Sequence, residues 1–480
     1  MSGMLSKIKT YYKGLSLVAK ASIWFICVTI IDKAIAVLTQ PVINRILSVD
    51  EVGIYSNYNS WYAVFSVLAS FNLFGGILEV YLTKEPENKH QVVGSLCSLS
   101  VTISFFIFFI VLVFLQPVSR FVELKPIYLF IMAFQIISET IIQFWVVPKR
   151  YEYSYKPYAL LVISLFAVKC LFSIAFSYLL EQDRVLGRIL GLTFPSLVVS
   201  VFIIIKIVKN ADIQSITCYW KKGLTFNLPL IPHYLATVFL ASSDRFMILK
   251  LSNETDAGLY AVAYSFSSLA LIVFSALNSA YNPFSMKAIK DEKYIDLSKV
   301  TESMIFFSVV FSLIMIFLAP EGLYILGGES YLKTQTIIPI LVTGIFFSSF
   351  YFVFSNIEFV HEKTKYIFPI TAVGAGINIL LNYILIPLHG YEMAAYTTLV
   401  GYIIIAVAHY WVSYRIVGKN VYNIKSLLIN VGLLIGGSVA AIMLYDLHFI
   451  IRYILVISML LGIVVYLRNN KSIHRIRNKL

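Results

Sequence analysis

Of 480 residues, 59% are hydrophobic, 15% aromatic and only 13% charged, and the mean hydropathy is +0.82, a composition that excludes a water-soluble domain. The formal net charge of +13 raises nucleic acid as a partner, but the cations are spread over separate short segments, so no nucleic-acid face is expected. Apolar runs of about 20 residues, enough to cross a ~30 Å hydrocarbon layer as helices, recur from end to end, where a β-barrel would show ~10-residue alternating segments.

In chain order the apolar pattern predicts fourteen spans, at 17–39, 54–82, 92–115, 127–147, 158–180, 189–205, 224–249, 258–283, 301–319, 335–357, 366–386, 394–414, 426–444 and 448–467. The class expected is therefore an all-α polytopic membrane protein. Lys and Arg in the N-terminal arm and after the even-numbered spans total 26, against 9 after the odd ones. That positive-inside bias places both termini in the cytoplasm. Residues 1–16 read as a cytoplasmic basic arm leading into a retained first helix, because no small-residue cleavage site follows. Cys27, Cys97, Cys170 and Cys218 are too scattered for a disulfide framework or a metal site.

Ionisable residues inside a span cost roughly 2.5–3.5 kcal/mol each on insertion scales, which makes them functional candidates. Span 1 carries Asp32 and Lys33; neighbours on a helix point about 100° apart, so Asp32 suits an interhelical tie and Lys33 a cavity wall. Tyr58, Trp61 and Tyr62 in span 2 are candidate cavity-wall aromatics, the alternative being interface anchors. Glu139 in span 4 and Lys169 in span 5 suggest an ion pair across helices, with a phosphate contact for Lys169 or proton loading on Glu139 as alternatives. In span 7, Pro229 and Pro232 predict a kink, as a gating bend or as static packing; His233 beside them reads as a packing residue.

The stretch "FLASSDRFMILKLS" (239–252) sets Asp244 and Arg245 side by side near the outer end of span 7. Asp244 is expected to tie span 7 to a neighbouring helix, and Arg245 to face a cleft or gate, with a simple outer anchor as the alternative. Tyr260 and Tyr264 in span 8 complete the aromatic candidates.

"NRILSVDEVGIYS" (44–56) matches "LKLSNETDAGLYA" (249–261) at an offset of 205, pairing Arg45 with Lys250 and Glu51 with Asp256. "GRILG" (187–191) likewise matches "GYEMA" (390–394). The chain reads as a duplication: an N-terminal lobe over 17–208, a linker over 209–223, a C-terminal lobe over 224–417, and helices 13 and 14 with a basic tail over 418–480. Six-span blocks insert in the same sense, so the repeats are parallel, a transporter architecture. The loops are too short for a catalytic domain, and no P-loop, H-E-x-x-H or D-x-D-like metal site is present, so no cofactor is expected.

"INILLNYILIPLHGYEMAAYTTLVGYII" (377–404), the paired Gly-Ile-Tyr and Gly-Leu-Tyr links, and "SSDRFMI" together resemble the polysaccharide flippases of the multidrug/oligosaccharidyl-lipid/polysaccharide exporter superfamily. Those handling O-antigen or capsule repeat units are the nearest type. The resemblance implies a V-shaped pair of six-helix lobes in the bacterial inner membrane. Its implied activity is alternating access, non-enzymatic, passing a polyprenyl-pyrophosphate-linked oligosaccharide from cytoplasm to outside for lipopolysaccharide or capsule synthesis. Polymerase and chain-length proteins of the same pathway are implied partners. Where that family has small residues after "PLHG", this chain has Tyr391, Glu392 and Met393, so glycine-type helix packing is not expected there. For the pyrophosphate, the cations to consider are Lys33, Arg45, Lys169, Arg245 and Lys250; for the sugars, Tyr58, Trp61 and Tyr260. Two other functions remain open: a cation-coupled drug antiporter of the same superfamily, expected to gather acids in its cavity, and a membrane-embedded polysaccharide polymerase or glycosyltransferase.

Overall fold

A computed structural model describes residues 16–211, 217–446 and 449–469. The basic arm apart from Ser16, the middle of the expected linker and the basic end of the tail lie outside the described residues. Within them the chain forms nineteen α-helices and no strand, as the fold class read from the sequence requires. Two compact units divide it, Met1–Val238 and Phe239–Leu480.

The first unit holds α1 (Leu17–Ile46), α2 (Val49–Ser70), α3 (Ile77–Lys84), α4 (Lys89–Val113), α5 (Leu115–Val122), α6 (Pro126–Tyr151), α7 (Tyr155–Leu179), α8 (Arg184–Asn210) and α9 (Trp220–Asn227). Helix α10 (Ile231–Leu251) starts in this unit and ends in the second. The second unit continues with α11 (Glu254–Ser267), α12 (Leu269–Lys290), α13 (Tyr294–Phe317), α14 (Ala319–Gly327), α15 (Ile338–Val360), α16 (Ile367–His389), α17 (Met393–Val417), α18 (Ile424–Leu444) and α19 (Phe449–Asn469).

Twelve helical stretches among the described residues are long and apolar enough to cross a membrane. The expected second span does not join them because it breaks: Phe71 and Asn72 take left-handed φ angles of 51° and 48°, and a short 3-10 turn separates α2 from α3. The fourteenth counts only as a shorter apolar helix, Phe449–Gly462.

The break frees backbone groups that one side chain satisfies. Asn227, fully buried, donates to the carbonyls of Phe71 and Asn72 at 2.9 and 3.0 Å and accepts from the Ile77 amide at 3.4 Å. Gly76 makes room, since a Cβ there lies 3.2 Å from that carboxamide. This seal, together with Tyr219 on Ser95 and Trp220 on Ser98, holds α9 to the first unit. It accounts for α9 belonging to that unit, which runs to Val238. Asn227→Ala should lower stability by about 2 kcal/mol, because buried backbone groups left unpaired cost ~1–3 kcal/mol. Thermal unfolding in detergent reads the change.

Pro229 sits in a 3-10 turn (Leu228–Leu230), and Pro232 falls in the first turn of α10, where its missing N–H costs no hydrogen bond. The predicted kink is thus a short 3-10 joint between α9 and α10.

The duplication appears at the helix caps. Helices α2 and α11 begin at Val49 and Glu254, at the offset of 205 residues. Ser48 caps the first by accepting from the Glu51 amide, and Asn253 caps the second by accepting from the Asp256 amide. Glu51 returns a bond to the Ser48 amide at 2.8 Å, completing a capping box. The glycine match, in contrast, serves two purposes. In "GRILG", Gly187 lets α8 approach α7 so closely that a Cβ would lie 2.3 Å from the Phe176 carbonyl oxygen, the small-residue packing that membrane helices use. In "GYEMA", Gly390 has φ +88° with open space around it and forms a turn, in keeping with the departure noted at Tyr391–Met393.

Candidate functional site

In the first unit, α1, α6 and α7 enclose a cavity of about 310 Å³ whose polar lining includes Asp32, Glu139, Arg150, Tyr158 and Lys169. Lys169 on α7 forms an ion pair with Glu139 on α6, and the Ser196 hydroxyl of α8 donates to the same Glu139 oxygen at 2.9 Å. Lys169 and Glu139 keep 14% and 22% of their side-chain surface exposed, so the pair opens onto the cavity. Asp32 is half-buried, within electrostatic reach of both. Eleven residues further along α6, about 16 Å at 1.5 Å per residue, Arg150 donates to the Tyr158 hydroxyl at 3.0 Å. Two cations and two carboxylates therefore line one space reaching from mid-helix to the end of α6. Such a cavity can receive an anionic group by exchanging internal ion pairs for external ones.

A second polar centre lies in the second unit, around Asp244 on α10. Its Oδ1 accepts from Asn382 at 2.7 Å and Asn378 at 3.3 Å; its Oδ2 accepts from Tyr260 at 2.6 Å and Thr398 at 2.5 Å. The carboxylate and these four partners are all buried. Ser243 holds the Asn378 carbonyl at 3.0 Å and Thr397 bonds to Asn382. Four neutral donors thus converge on one carboxyl group and tie α10 to α11, α16 and α17. Arg245 points another way: half-buried, its guanidinium lies 4.4 Å from the centroid of the Tyr264 ring and donates to the Ala241 carbonyl at 3.3 Å.

The other candidates fall elsewhere. Lys33 is exposed on α1 and does not line the cavity, where its neighbour Asp32 stands instead. Tyr58 and Tyr260 are buried in the cores of their units, with hydroxyls given to Gln135 and Asp244, so neither ring forms an open sugar-stacking wall. Trp61 packs against Phe121 at 5.6 Å. Arg45 and Lys250 are exposed in the last turns of α1 and α10, and Arg45 donates to the Pro41 carbonyl at 3.0 Å. A helix C-terminus attracts a cation at that place, which accounts for a position common to both repeats.

The profile of a family described as "Polysaccharide biosynthesis protein" matches residues 18–289, more than half the chain. The chain belongs to that polysaccharide biosynthesis protein family. The profile described as "MatE" matches residues 229–384. A relative, "Lsg locus putative protein 1" of Haemophilus influenzae, is 24% identical over 360 residues, covering 73% of this chain and 86% of that one. Two solved structures have a similar fold. "Lipid II flippase MurJ, inward closed conformation" aligns with a TM-score of 0.67 at 14% identity, over 93% of this chain and 99% of the other. A multidrug resistance MATE family transporter of the MOP superfamily, in an inward-facing conformation, aligns with a TM-score of 0.61 at 14% identity, over 81% and 95%. The resemblance read from "SSDRFMI" and "INILLNYI" therefore stands.

This polysaccharide biosynthesis family member also has ionisable groups inside its helix packing that the sequence reading passed over. Glu358 and His409 meet at 2.6 Å with both side chains fully buried. Arg452 of α19 makes two bonds to Glu321 at 3.0 and 2.8 Å and one to the Phe317 carbonyl, pinning the appended helix to α13 and α14. Arg188, buried, lies 3.6 Å from the Tyr55 ring centroid. Each falls close to a span end, where a charge looks like an interface anchor. Asn378 and Asn382 carried a usable signal: two carboxamides four residues apart share a helix face, and an apolar span does not keep such a pair without partners.

Proposed function

We propose that this protein is a flippase moving polyprenyl-pyrophosphate-linked oligosaccharide repeat units from the cytoplasmic to the outer face of the bacterial inner membrane, by alternating access and without covalent chemistry. The observation that carries the reading is the cavity of the first unit, where Arg150 and Lys169 stand among hydroxyl and carboxylate groups. A pyrophosphate presents several acceptor oxygens, and a cation held by a partly open ion pair can be handed to it. Glu139 and Asp32 then supply the competing charge that lets the cargo leave. The antiporter alternative calls for acids without opposing cations, and here each acid has a cation in the same cavity. The family assignment and the fold shared with MurJ support the same class of transporter.

Deletion of the gene should leave lipid-linked repeat units on the cytoplasmic face of the membrane, measured by accessibility to an added glycosidase in oriented vesicles. Unpolymerised units collecting outside would instead indicate a polymerase.

Arg245 is the second proposed contact for the cargo. Arg245→Ala should abolish surface glycan at normal protein abundance, and Arg245→Lys should retain part of it, since the ammonium keeps the charge but loses the planar fork. Wild-type export by a well-expressed Arg245→Ala protein would reduce Arg245 to an anchor over Tyr264.

A further inference from the structure

Away from the proposed transport cavity, three helix ends of the first unit converge on a small cavity of about 80 Å³. Lys89 and His90 come from the first turn of α4, Trp145 and Lys149 from the last turns of α6, and Lys206 from the end of α8. Glu152, at the C-cap of α6, holds Lys89 at 2.6 Å and Lys149 at 2.5 Å. Burial by itself would raise the Glu152 carboxyl, but the hydrogen bonds and charges of Lys149 and Lys89 hold it below the usual carboxylate range. It is therefore ionised at neutral pH, and three lysines face one carboxylate, leaving a positive excess.

Two further features give that excess a direction. On α8, Phe202 is 71% exposed and Ile205 is 46% exposed just ahead of Lys206, so an apolar strip runs up to the charged rim. The floor is aromatic, and Lys149 lies 5.7 Å from the centroid of the Trp145 ring. Lysines at helix ends ordinarily snorkel outward, each on its own; these turn towards one shared cavity.

We infer that this cavity binds the phosphate of an anionic phospholipid, with Lys206, Lys149 and Lys89 around the headgroup and the exposed face of α8 along an acyl chain. Basic pockets between transmembrane helices are suited to such headgroups. By the charge bias of the loops the leaflet concerned is the cytoplasmic one. The site is independent of the transport reading, since it shares no residue with the α1–α6–α7 cavity.

The test uses the full-length protein in neutral detergent, with bound lipid followed by native mass spectrometry during titration with phosphatidylglycerol or with phosphatidylcholine of the same chains. The wild type should retain phosphatidylglycerol in preference to phosphatidylcholine. Lys206→Gln should weaken that retention roughly fivefold and Lys206→Glu about thirtyfold, from ~1 kcal/mol per cation at an anionic surface. Lys84→Glu, an equal charge change at an exposed position outside the cavity, should behave as wild type, and inorganic phosphate should not displace the lipid. Equal retention of both lipids would overturn the proposal, as would an equal loss in Lys84→Glu and Lys206→Glu. Displacement by inorganic phosphate would overturn the lipid assignment in favour of a free anion.

Discussion

Asp244→Ala is expected to remove most of the protein from the membrane. The substitution deletes the acceptor for Tyr260, Thr398, Asn378 and Asn382 at once; Asn378 keeps its bonds to Thr397 and Thr398 and Asn382 its long bond to Asn378, while the buried Tyr260 and Thr398 hydroxyls lose the acceptor they share. A single interhelical bond in a bilayer is worth about 0.6 kcal/mol on average, whereas an orphaned buried donor costs ~1–3 kcal/mol. Four bonds lost together should destabilise by about 2–4 kcal/mol. Tyr260→Phe and Thr398→Val remove one donor each and leave the carboxylate three others, so each should cost ~1 kcal/mol or less by the same figures. Asp244→Asn falls between these, because its amide group turns a donor towards donors. Thermal unfolding of purified protein and abundance in membranes both report the series. An Asp244→Ala protein that unfolds at the wild-type temperature would show that the four bonds hold nothing.

The second large effect concerns Lys169 and Glu139. Removing one partner of a buried pair leaves a charge without compensation and typically costs 3–5 kcal/mol; this pair opens onto a cavity, so about 2–3 kcal/mol is the expected loss for Lys169→Met or Glu139→Gln. The double variant leaves no orphaned charge, so abundance should return to near wild type. Under the proposed cargo contact export should not return, because the Lys169 ammonium is then missing. Measuring abundance and surface glycan in the same cells separates the roles. Recovery of both would make the pair a structural tie and move the cargo contact elsewhere.

Much of the architecture was legible in local patterns. Spans follow from apolar runs summed over about 20 residues, and the repeat from a fixed offset that returns as matched caps at Ser48 and Asn253. The second span misled for a local reason: its hydropathy is continuous through Phe71–Gly76, and only the left-handed turn there and the Asn227 side chain reveal a break. Lys33 and Asp32 misled because adjacent residues carry the same insertion cost, and hydropathy does not tell which faces a cavity.

The sequence by itself determined the solvent this protein is built for, the order of most of its apolar segments, the offset at which its helix caps repeat and its family. These properties depend on composition and spacing, which the chain displays without folding. Tertiary structure alone decided which charges meet. Asp244 finds Asn378, Asn382 and Thr398 across separations of 134, 138 and 154 residues, and Glu139 finds Lys169 on the next helix and Ser196 on the one after. Such partners are chosen by the rotation and depth at which helices pack, and a side chain's place in the chain specifies neither. Inside a membrane the distinction is sharp, because water cannot satisfy a polar group that packing has left unpaired.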